Sequence, residues 1–305
     1  MHSSPFDCAI IGGGPAGLTA AIYLARFRLR IRLIDAGDSR CALIPLTRNH
    51  AGLPDGISGV DLLARMRAQA ERYGVEIITG TCERLERGEE SFVVHGAGGP
   101  FLAHTALLAT GVVNHRPEMD EALHAEALAR GLIRYCPVCD GYEVTDKDVA
   151  VVGTGERGCK EAIFLRSYTR HLTLLAPEGP HDLTPQQRAM LADSGVSVVD
   201  GPITGYRIEG ERIALEAGGA TRDFASLYPA LGSTIRSELI LGLGGETAED
   251  GCISVDSHQR TDIRGLYAAG DVVKGLDQIS HAMGEAGVAA TTIRNDLAER
   301  TPLRR

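Results

Sequence analysis

The chain opens with a short apolar run that stops at a glycine-rich turn. Residues 7–11 (DCAII) are followed by residues 12–17 (GGGPAG), in which Gly12, Gly14 and Gly17 have the G-x-G-x-x-G spacing. Apolar side chains then recur at helical spacing, and residues 31–34 (IRLI) alternate as in a strand. A strand, a tight turn, a helix and a second strand make one βαβ unit, which predicts a parallel sheet of the doubly wound kind.

The glycines of this turn have separate physical roles. Gly12 permits the tight turn, Gly14 lets the backbone approach a pyrophosphate, and Gly17 lets the helix pack on the strand. The first N–H groups of the helix are free to bind phosphate. Asp35 stands about 20 residues beyond the first glycine, where such a unit has the acidic residue that accepts hydrogen bonds from a ribose. The sequence therefore predicts a dinucleotide site here.

A second unit repeats this pattern later in the chain. Residues 149–152 (VAVV) run into Gly153, Gly155 and Gly158 at the same spacing. At the position that corresponds to Asp35 stands Ala176, so no carboxylate is available there for a ribose diol. The sequence also has no arginine pair there for a 2′-phosphate. This pattern favours a nucleotide-binding fold, leaves NAD(P)H binding open and disfavours NADPH.

Two of the seven cysteines form a C-x-x-C at Cys136 and Cys139. No second C-x-x-C or histidine pair completes a zinc site, which needs four ligands, so no metal is expected and the pair is interpreted as a redox dithiol. Asp140 follows directly and can donate or accept the proton of thiolate chemistry. The five other cysteines are predicted to be small buried side chains: Cys8, Cys41, Cys82, Cys159 and Cys252.

Size and charge limit the classes of function. A chain of 305 residues predicts about two domains. The net charge of −9 with scattered Lys and Arg argues against a nucleic-acid partner. No apolar stretch is long enough to span a membrane and no signal segment precedes the first strand, so we expect a cytoplasmic protein with no membrane partner.

The order of the motifs resembles that of the low-molecular-weight thioredoxin reductases. The shared motifs, spread over nearly the whole chain, are the glycine turn at Gly12, A-T-G at 109–111, C-x-x-C-D-G-Y at 136–142, the second turn at Gly153 and A-A-G-D at 268–271. The resemblance implies an α/β fold with two Rossmann-like domains and a homodimer. An FAD domain (1–114 and 235–305) would be split by an inserted NAD(P)H-type domain (115–234) that carries the C-x-x-C.

The resemblance also assigns roles to individual residues. Cys139 would lie nearer the flavin, Cys136 would exchange with a thioredoxin-like protein or a small disulfide or dithiol, and Asp140 would be the acid/base. The positions implied for binding FAD are Gly12, Gly14, Pro15, Ala16, Gly17, Asp35, Asn49, Thr110, Gly111, Gly270, Asp271 and Gln278, with Gly153, Gly155 and Gly158 at the second site.

Several residues depart from the family pattern. Residues 176–178 (APE) replace a His-Arg-Arg that grips the 2′-phosphate of NADPH, and Glu178 would repel that phosphate. Asp277 and Gln278 replace an Arg-Gln pair beside the flavin. His281 and Glu285, four residues apart on one helix face, form a candidate proton relay to the dithiol or a solvent-exposed helical pair.

The leading interpretation is an FAD-dependent thiol–disulfide oxidoreductase. The alternative is an oxygen-dependent dithiol oxidase of the same fold, although such proteins commonly have His at the position of Asp140. Two minor alternatives are a non-enzymatic flavin redox sensor and an NAD(P)H:flavin dehydrogenase with an incidental C-x-x-C. Residues 114–117 and 232–234 are the predicted hinges for rotation of the inserted domain.

Overall fold

A computed structural model of the chain describes residues 4–300 and residue 303. The strands of this part are β1 (Phe6–Ile11), β2 (Ile31–Asp35), β3 (Glu76–Thr79), β4 (Cys82–Arg87), β5 (Phe92–Gly96), β6 (Phe101–Leu108), β7 (Val112–Asn114), β8 (Val149–Val152), β9 (Leu172–Leu175), β10 (Ser197–Val199), β11 (Thr204–Glu209), β12 (Arg212–Ala217), β13 (Ala220–Phe224), β14 (Ser226–Pro229), β15 (Ser233–Ile235) and β16 (Leu266–Ala268).

The helices of the same part are α1 (Pro15–Arg26), α2 (Gly59–Arg72), α3 (Glu121–Ala129), α4 (Pro137–Asp140), α5 (Gly155–Leu165), α6 (Pro185–Asp193), α7 (Glu238–Gly242) and α8 (Ile279–Arg300). Short 3-10 helices occur at Arg40–Leu43 and Gly141–Val144. None of the helices within residues 4–300 has the length and apolar character needed to cross a membrane.

The first sheet has seven strands, of which five run parallel in the order β3-β2-β1-β6-β16. The first half of β6 pairs antiparallel with β5, and β5 pairs with β4. Helices α1, α2 and α8 cover one face, where the buried side chains of α1 and the alanines of α8 pack together. This arrangement brings the carboxyl ends of β1, β6 and β16 side by side, at the edge where ligands bind in such sheets.

The second sheet is parallel throughout, in the order β10-β9-β8-β14. Helices α5 and α6 pack on one face, and the antiparallel meander β11-β12-β13 contributes to the core on the other. The α/β fold with two Rossmann-like sheets is confirmed. The meander lies in a region where the sequence analysis assigned no strands.

Two short strands join the parts that contain these sheets. β7 pairs antiparallel with β15, and the register places Asn114 opposite Ser233 and Val112 opposite Ile235. The chain thus passes out of the first sheet and back to it through one hydrogen-bonded ribbon. The predicted domain boundaries, 114/115 and 234/235, fall in or next to this ribbon. The division into domains stays a prediction. Residues 1–3, 301–302 and 304–305 of the predicted FAD domain lie outside the described residues.

The prediction for the isolated cysteines holds only in part. Cys8, Cys41 and Cys159 are buried, whereas Cys82 and Cys252 are half-buried. Cys82 begins β4, which pairs with β5 on one side only, and Cys252 lies in a loop, so both positions leave one side of the residue open.

Candidate active site

A cleft of about 680 Å³ opens at the carboxyl edge of the first sheet. Most of the residues predicted to bind FAD line it, namely Gly12, Gly14, Pro15, Ala16, Asp35, Asn49, Thr110, Gly111, Gly270, Asp271 and Gln278. Cys136, Cys139 and Asp140 line the same cleft. The structure therefore brings the glycine turn and the redox pair, more than 100 residues apart in sequence, to one cavity.

The glycine turn after β1 is packed so closely that side chains would not fit. A Cβ atom at Gly12, where φ is +115°, would lie 2.1 Å from the carbonyl oxygen of Ala109, and one at Gly17 would lie 1.9 Å from the oxygen of Gly12. The first residue of α1 is Pro15, and no side chain caps the helix. The first N–H groups of α1 are therefore free to bind an anion in the cleft.

Asp35 ends β2 and is buried at the cleft wall. One carboxylate oxygen accepts a hydrogen bond of 2.9 Å from the Gly37 N–H, and the other pairs with the guanidinium of Arg67 on α2. These contacts fix the carboxylate, and each of its oxygens keeps a lone pair for a further donor. Arg67 was not identified from the sequence.

A second group of contacts surrounds the end of β16. The backbone N–H of Gly270 donates to the carboxylate of Glu285 (2.8 Å), and the other oxygen of Glu285 lies 3.0 Å from His281 Nε2. His281 and Glu285 therefore form the pair predicted on α8, but neither side chain lines the cleft. Through the Gly270 N–H, the pair fixes the turn that carries Asp271. Burial raises the pKa of Glu285. The proton relay to the dithiol stays a prediction.

Asp271 itself lies in the cleft wall. Burial and the neighbouring carboxylate of Asp277 raise its pKa, and the guanidinium of Arg40 lowers it. Arg40 Nη1 is 3.1 Å from Asp271 Oδ2 and 2.7 Å from Asp277 Oδ2.

The C-x-x-C forms a disulfide between Cys136 and Cys139 at the start of α4. The amide nitrogen Nε2 of Gln278 is 3.2 Å from Cys136 Sγ and 3.1 Å from Cys139 Sγ. Asn49 Nδ2 donates to Gln278 Oε1 (2.9 Å) and therefore fixes the amide orientation that presents N–H groups to the sulfurs. Such donors stabilise a thiolate more than a thiol, because a charged acceptor makes the stronger hydrogen bond.

Asp140 is held beside the disulfide by two donors from other parts of the chain. Arg134 Nη1 is 2.9 Å from Asp140 Oδ2, and the hydroxyl of Tyr228 donates to Asp140 Oδ1 (3.0 Å). Burial nevertheless raises the pKa of Asp140, and the same burial raises that of Tyr228. A carboxyl group with a raised pKa is suited to hold a proton near the redox pair.

A smaller cavity of about 320 Å³ lies on another side of Cys139. Its lining residues are Arg48, Asn49, Val138, Cys139, Tyr142, Glu143 and Tyr168. Tyr142 is 80 % exposed, and Arg48 Nε lies 3.6 Å from a carboxylate oxygen of Glu143. This cavity connects the surface around α4 to the neighbourhood of the disulfide.

The second glycine turn lies apart from the cleft and has a different environment. Gly153 and Gly158 pack against each other, and a Cβ atom at Gly158 would lie 2.9 Å from the Gly153 carbonyl carbon. The hydroxyl of Thr154, in the turn, accepts a hydrogen bond of 2.7 Å from the Asp182 N–H and lies 3.3 Å from His181 Nδ1. The hydroxyl of Thr154 is therefore already hydrogen-bonded to residues 181–182 of the same chain.

His181 is buried at the ends of β9 and β10. Its Nε2 lies 2.9 Å from the carbonyl oxygen of Val199 and 3.2 Å from that of Leu174. Ala176, which stands where the first unit has the carboxylate of Asp35, is also buried. One arginine reaches this segment, since Arg188 Nη2 donates to the backbone carbonyl oxygen of His181 (3.2 Å).

Comparison with known proteins places these features in a family. The model of the family "Pyridine nucleotide-disulphide oxidoreductase" matches residues 6–286. The thioredoxin reductase of Streptomyces clavuligerus is 32 % identical over 301 residues, which cover 93 % of this chain and 89 % of that protein.

Solved structures show the same similarity. The thioredoxin reductase of Streptococcus pyogenes superposes with a TM-score of 0.87 at 27 % identity, covering 97 % of this chain and 99 % of that one. The thioredoxin reductase of Lactococcus lactis, solved in an FR conformation, has a lower TM-score of 0.62 at 25 % identity, although 96 % of this chain and 99 % of that one are covered.

Proposed function

Because this chain belongs to the pyridine nucleotide-disulphide oxidoreductase family and is a thioredoxin reductase-like flavoprotein disulfide oxidoreductase, we propose that it passes electrons between FAD, the Cys136/Cys139 pair and an external disulfide or dithiol. The observation that carries this proposal is the common cleft. The disulfide and the glycine turn after β1 line one cavity, so a dinucleotide held by the turn has the sulfur pair within the same walls.

The residues of the cleft fit FAD. The uncapped start of α1 and the close-packed turn at Gly12 and Gly14 offer N–H groups to a pyrophosphate, and the fixed carboxylate of Asp35 offers an acceptor to a ribose. Asp271 is the candidate for the ribityl hydroxyls, and Asn49 and Gln278 are the candidates beside the flavin ring. FAD, when bound, supplies a centre that exchanges two electrons with a dithiol.

The residues of the chain itself can carry out the sulfur exchange. In the reducing direction, the Cys136 thiolate attacks one sulfur of the substrate disulfide, whose bond breaks, and the other substrate sulfur leaves as a thiolate. The Cys139 thiolate then attacks Cys136 Sγ, which re-forms the protein disulfide and releases the second substrate thiolate. Two protons complete the substrate dithiol, and Asp140 is the candidate to transfer one of them. Gln278 stabilises the thiolates by donating from its amide.

We further propose that NADPH is not the physiological reductant. Residues 176–178 offer no arginine to a 2′-phosphate, and Glu178 would repel it. Thr154 in the second turn is already bonded to residues 181–182. Glu156 adds a carboxylate to the first turn of α5, beside the second glycine turn, and pairs there with Lys160 at 2.5 Å. These contacts favour a donor other than NADPH, either a reduced dithiol carrier or weakly held NADH.

The domain division and the partners also belong to the proposal. The residues between 115 and 234 form the inserted unit, and its rotation about the β7–β15 ribbon would expose the sulfurs to a thioredoxin-like protein. The lower TM-score against the FR conformation at nearly full coverage supports two arrangements of the units. A homodimer is the expected assembly. Oxidation of dithiols by oxygen is the alternative use of the same site, and it would need no nicotinamide donor at the second turn.

Anaerobic stopped-flow reduction of the bound flavin tests these statements. The holoprotein is mixed separately with NADPH, NADH and dithiothreitol, and the bleaching of the flavin band is followed. We expect dithiothreitol to reduce the flavin through the disulfide, and NADPH to reduce it more slowly than dithiothreitol does. Rapid bleaching by NADPH would refute the proposal that NADPH is not the physiological reductant. Admission of oxygen afterwards separates the oxidase, which turns over, from the reductase, which does not.

A further inference from the structure

Arg40 lies in the 3-10 helix that follows β2 and lines the cofactor cleft. Its guanidinium lies between two carboxylates that come from the other end of the chain. The Nη1 atom is 3.1 Å from Asp271, just beyond β16, and 2.7 Å from Asp277, just before α8. Arg40 therefore connects the segment after β2 with the segment that carries Gln278.

Among the arginines that line the cleft in the described part of the chain, Arg40 is the one that pairs with Asp271 and Asp277. Burial is the main cause that raises the pKa of Asp271, the carboxylate of Asp277 raises it further by repulsion, and Arg40 and His281 lower it. The other arginines in the cleft wall are paired with other carboxylates: Arg48 with Glu143, Arg130 with Glu126, Arg134 with Asp140 and Arg236 with Asp38. Without Arg40, two adjacent carboxylates would face a ligand that carries a doubly charged pyrophosphate.

The pairing also reaches the redox centre. Asp277 precedes Gln278, whose side chain donates to both sulfurs and accepts from Asn49. The Gln278 Nε2 atom additionally lies 3.0 Å from the Asp277 carbonyl oxygen. Holding the Asp277 carboxylate therefore holds the backbone from which Gln278 extends.

We propose that Arg40 is a binding and positioning residue for the dinucleotide: it neutralises the Asp271/Asp277 carboxylate pair, which would otherwise repel an anionic cofactor. This inference rests on the proposed use of FAD in the cleft. It predicts that substitutions of Arg40 and Asp277 have non-additive effects on the affinity for FAD. The reason is that the arginine is needed for binding only while the carboxylate of Asp277 is present.

A double-mutant cycle on the apoprotein measures this coupling. FAD is removed, and its rebinding is followed by the quenching of flavin fluorescence in Arg40→Ala, Arg40→Lys, Asp277→Asn and the Arg40→Ala/Asp277→Asn double variant. We expect Arg40→Ala to raise the Kd of FAD about 10- to 100-fold, as befits the loss of charge-assisted contacts. In the Asp277→Asn background the same change should raise the Kd less than about threefold. Arg40→Lys keeps the charge and should recover most of the affinity.

The ionic strength gives an independent readout. The loss of affinity in Arg40→Ala should shrink in concentrated salt, because screening weakens the repulsion that the variant unmasks. Arg84→Ala is the matched control, since Arg84 pairs with Glu86 on β4 outside the cleft. Circular dichroism of each apoprotein checks that it is folded.

The outcomes separate this inference from the proposed function. An equal loss of affinity on Arg40→Ala in both backgrounds, or no loss at all, overturns the role of Arg40 while the use of FAD stands. Failure of the wild-type apoprotein to bind FAD overturns the proposed function itself.

Discussion

A single methyl group at Gly17 tests whether the turn after β1 is packed as tightly as the structure shows. In Gly17→Ala the new Cβ atom would lie 1.9 Å from the carbonyl oxygen of Gly12, and Ala109 Cβ would be 3.4 Å away on the next side. The oxygen is a backbone atom, so the turn and α1 would have to separate by about 1 Å or more to reach ordinary contact.

Such overpacking costs about 1–3 kcal/mol, which exceeds the roughly 1 kcal/mol that alanine gains over glycine inside a helix. We therefore expect Gly17→Ala to lower the free energy of unfolding and to release FAD, because the displaced turn no longer aims its N–H groups into the cleft. Urea denaturation of the apoprotein and the flavin content of the purified protein measure the two effects.

Gly284→Ala is the matched control. Gly284 lies in α8, is exposed, and a Cβ atom there would meet no atom within 4 Å. The identical substitution should raise the free energy of unfolding by about 0.5–1 kcal/mol through helix propensity alone. If the two variants changed stability in the same direction, the steric argument at Gly17 would be refuted.

Two further predictions concern the groups around the disulfide. Burial raises the pKa of Asp140 in the folded state. Between the ordinary and the raised pKa, the folded protein therefore keeps a proton that the unfolded chain has released. The free energy of unfolding falls as the pH rises through that window. Asp140→Asn should remove this fall, and an unchanged slope of Tm against pH would contradict the assignment. Gln278→Ala removes the donor to both sulfurs; in the reduced protein the pKa of the reactive thiol should rise by about 1, read from the pH dependence of alkylation. Ser280→Ala, a neighbouring change on α8 whose side chain contacts His50 instead, should leave that dependence in place.

The parts of the fold that were predicted from the sequence are those encoded locally. The apolar run before Gly12 and the helical spacing after it fall within about 30 residues, and so do their counterparts at Gly153. The order of motifs along the chain then sufficed to indicate the α/β architecture. The meander β11–β13 lacked any such marker and was not assigned.

The candidate site divides in the same way. The glycines, the C-x-x-C and Asp271 stand in short motifs, whereas the residues that hold them do not. Arg40 and Asp271 are 231 positions apart, and Tyr228 and Asp140 are 88 apart. A long side chain can reach many partners, and which one it meets is decided by the packing of whole sheets. The contact between Thr154 and residues 181–182 could not be predicted from the sequence for the same reason.

The β7–β15 ribbon has a consequence for the rotation proposed for residues 115–234. Because the outgoing and returning segments are hydrogen-bonded to each other, they do not act as two separate tethers whose lengths can vary independently. The rotation proposed above would therefore have to twist or bend one narrow strip, about axes that pass near Asn114 and Ser233. Adding a residue to one segment alone would shift the pairing and change the direction of that swing, whereas a compensating addition in the other would restore it.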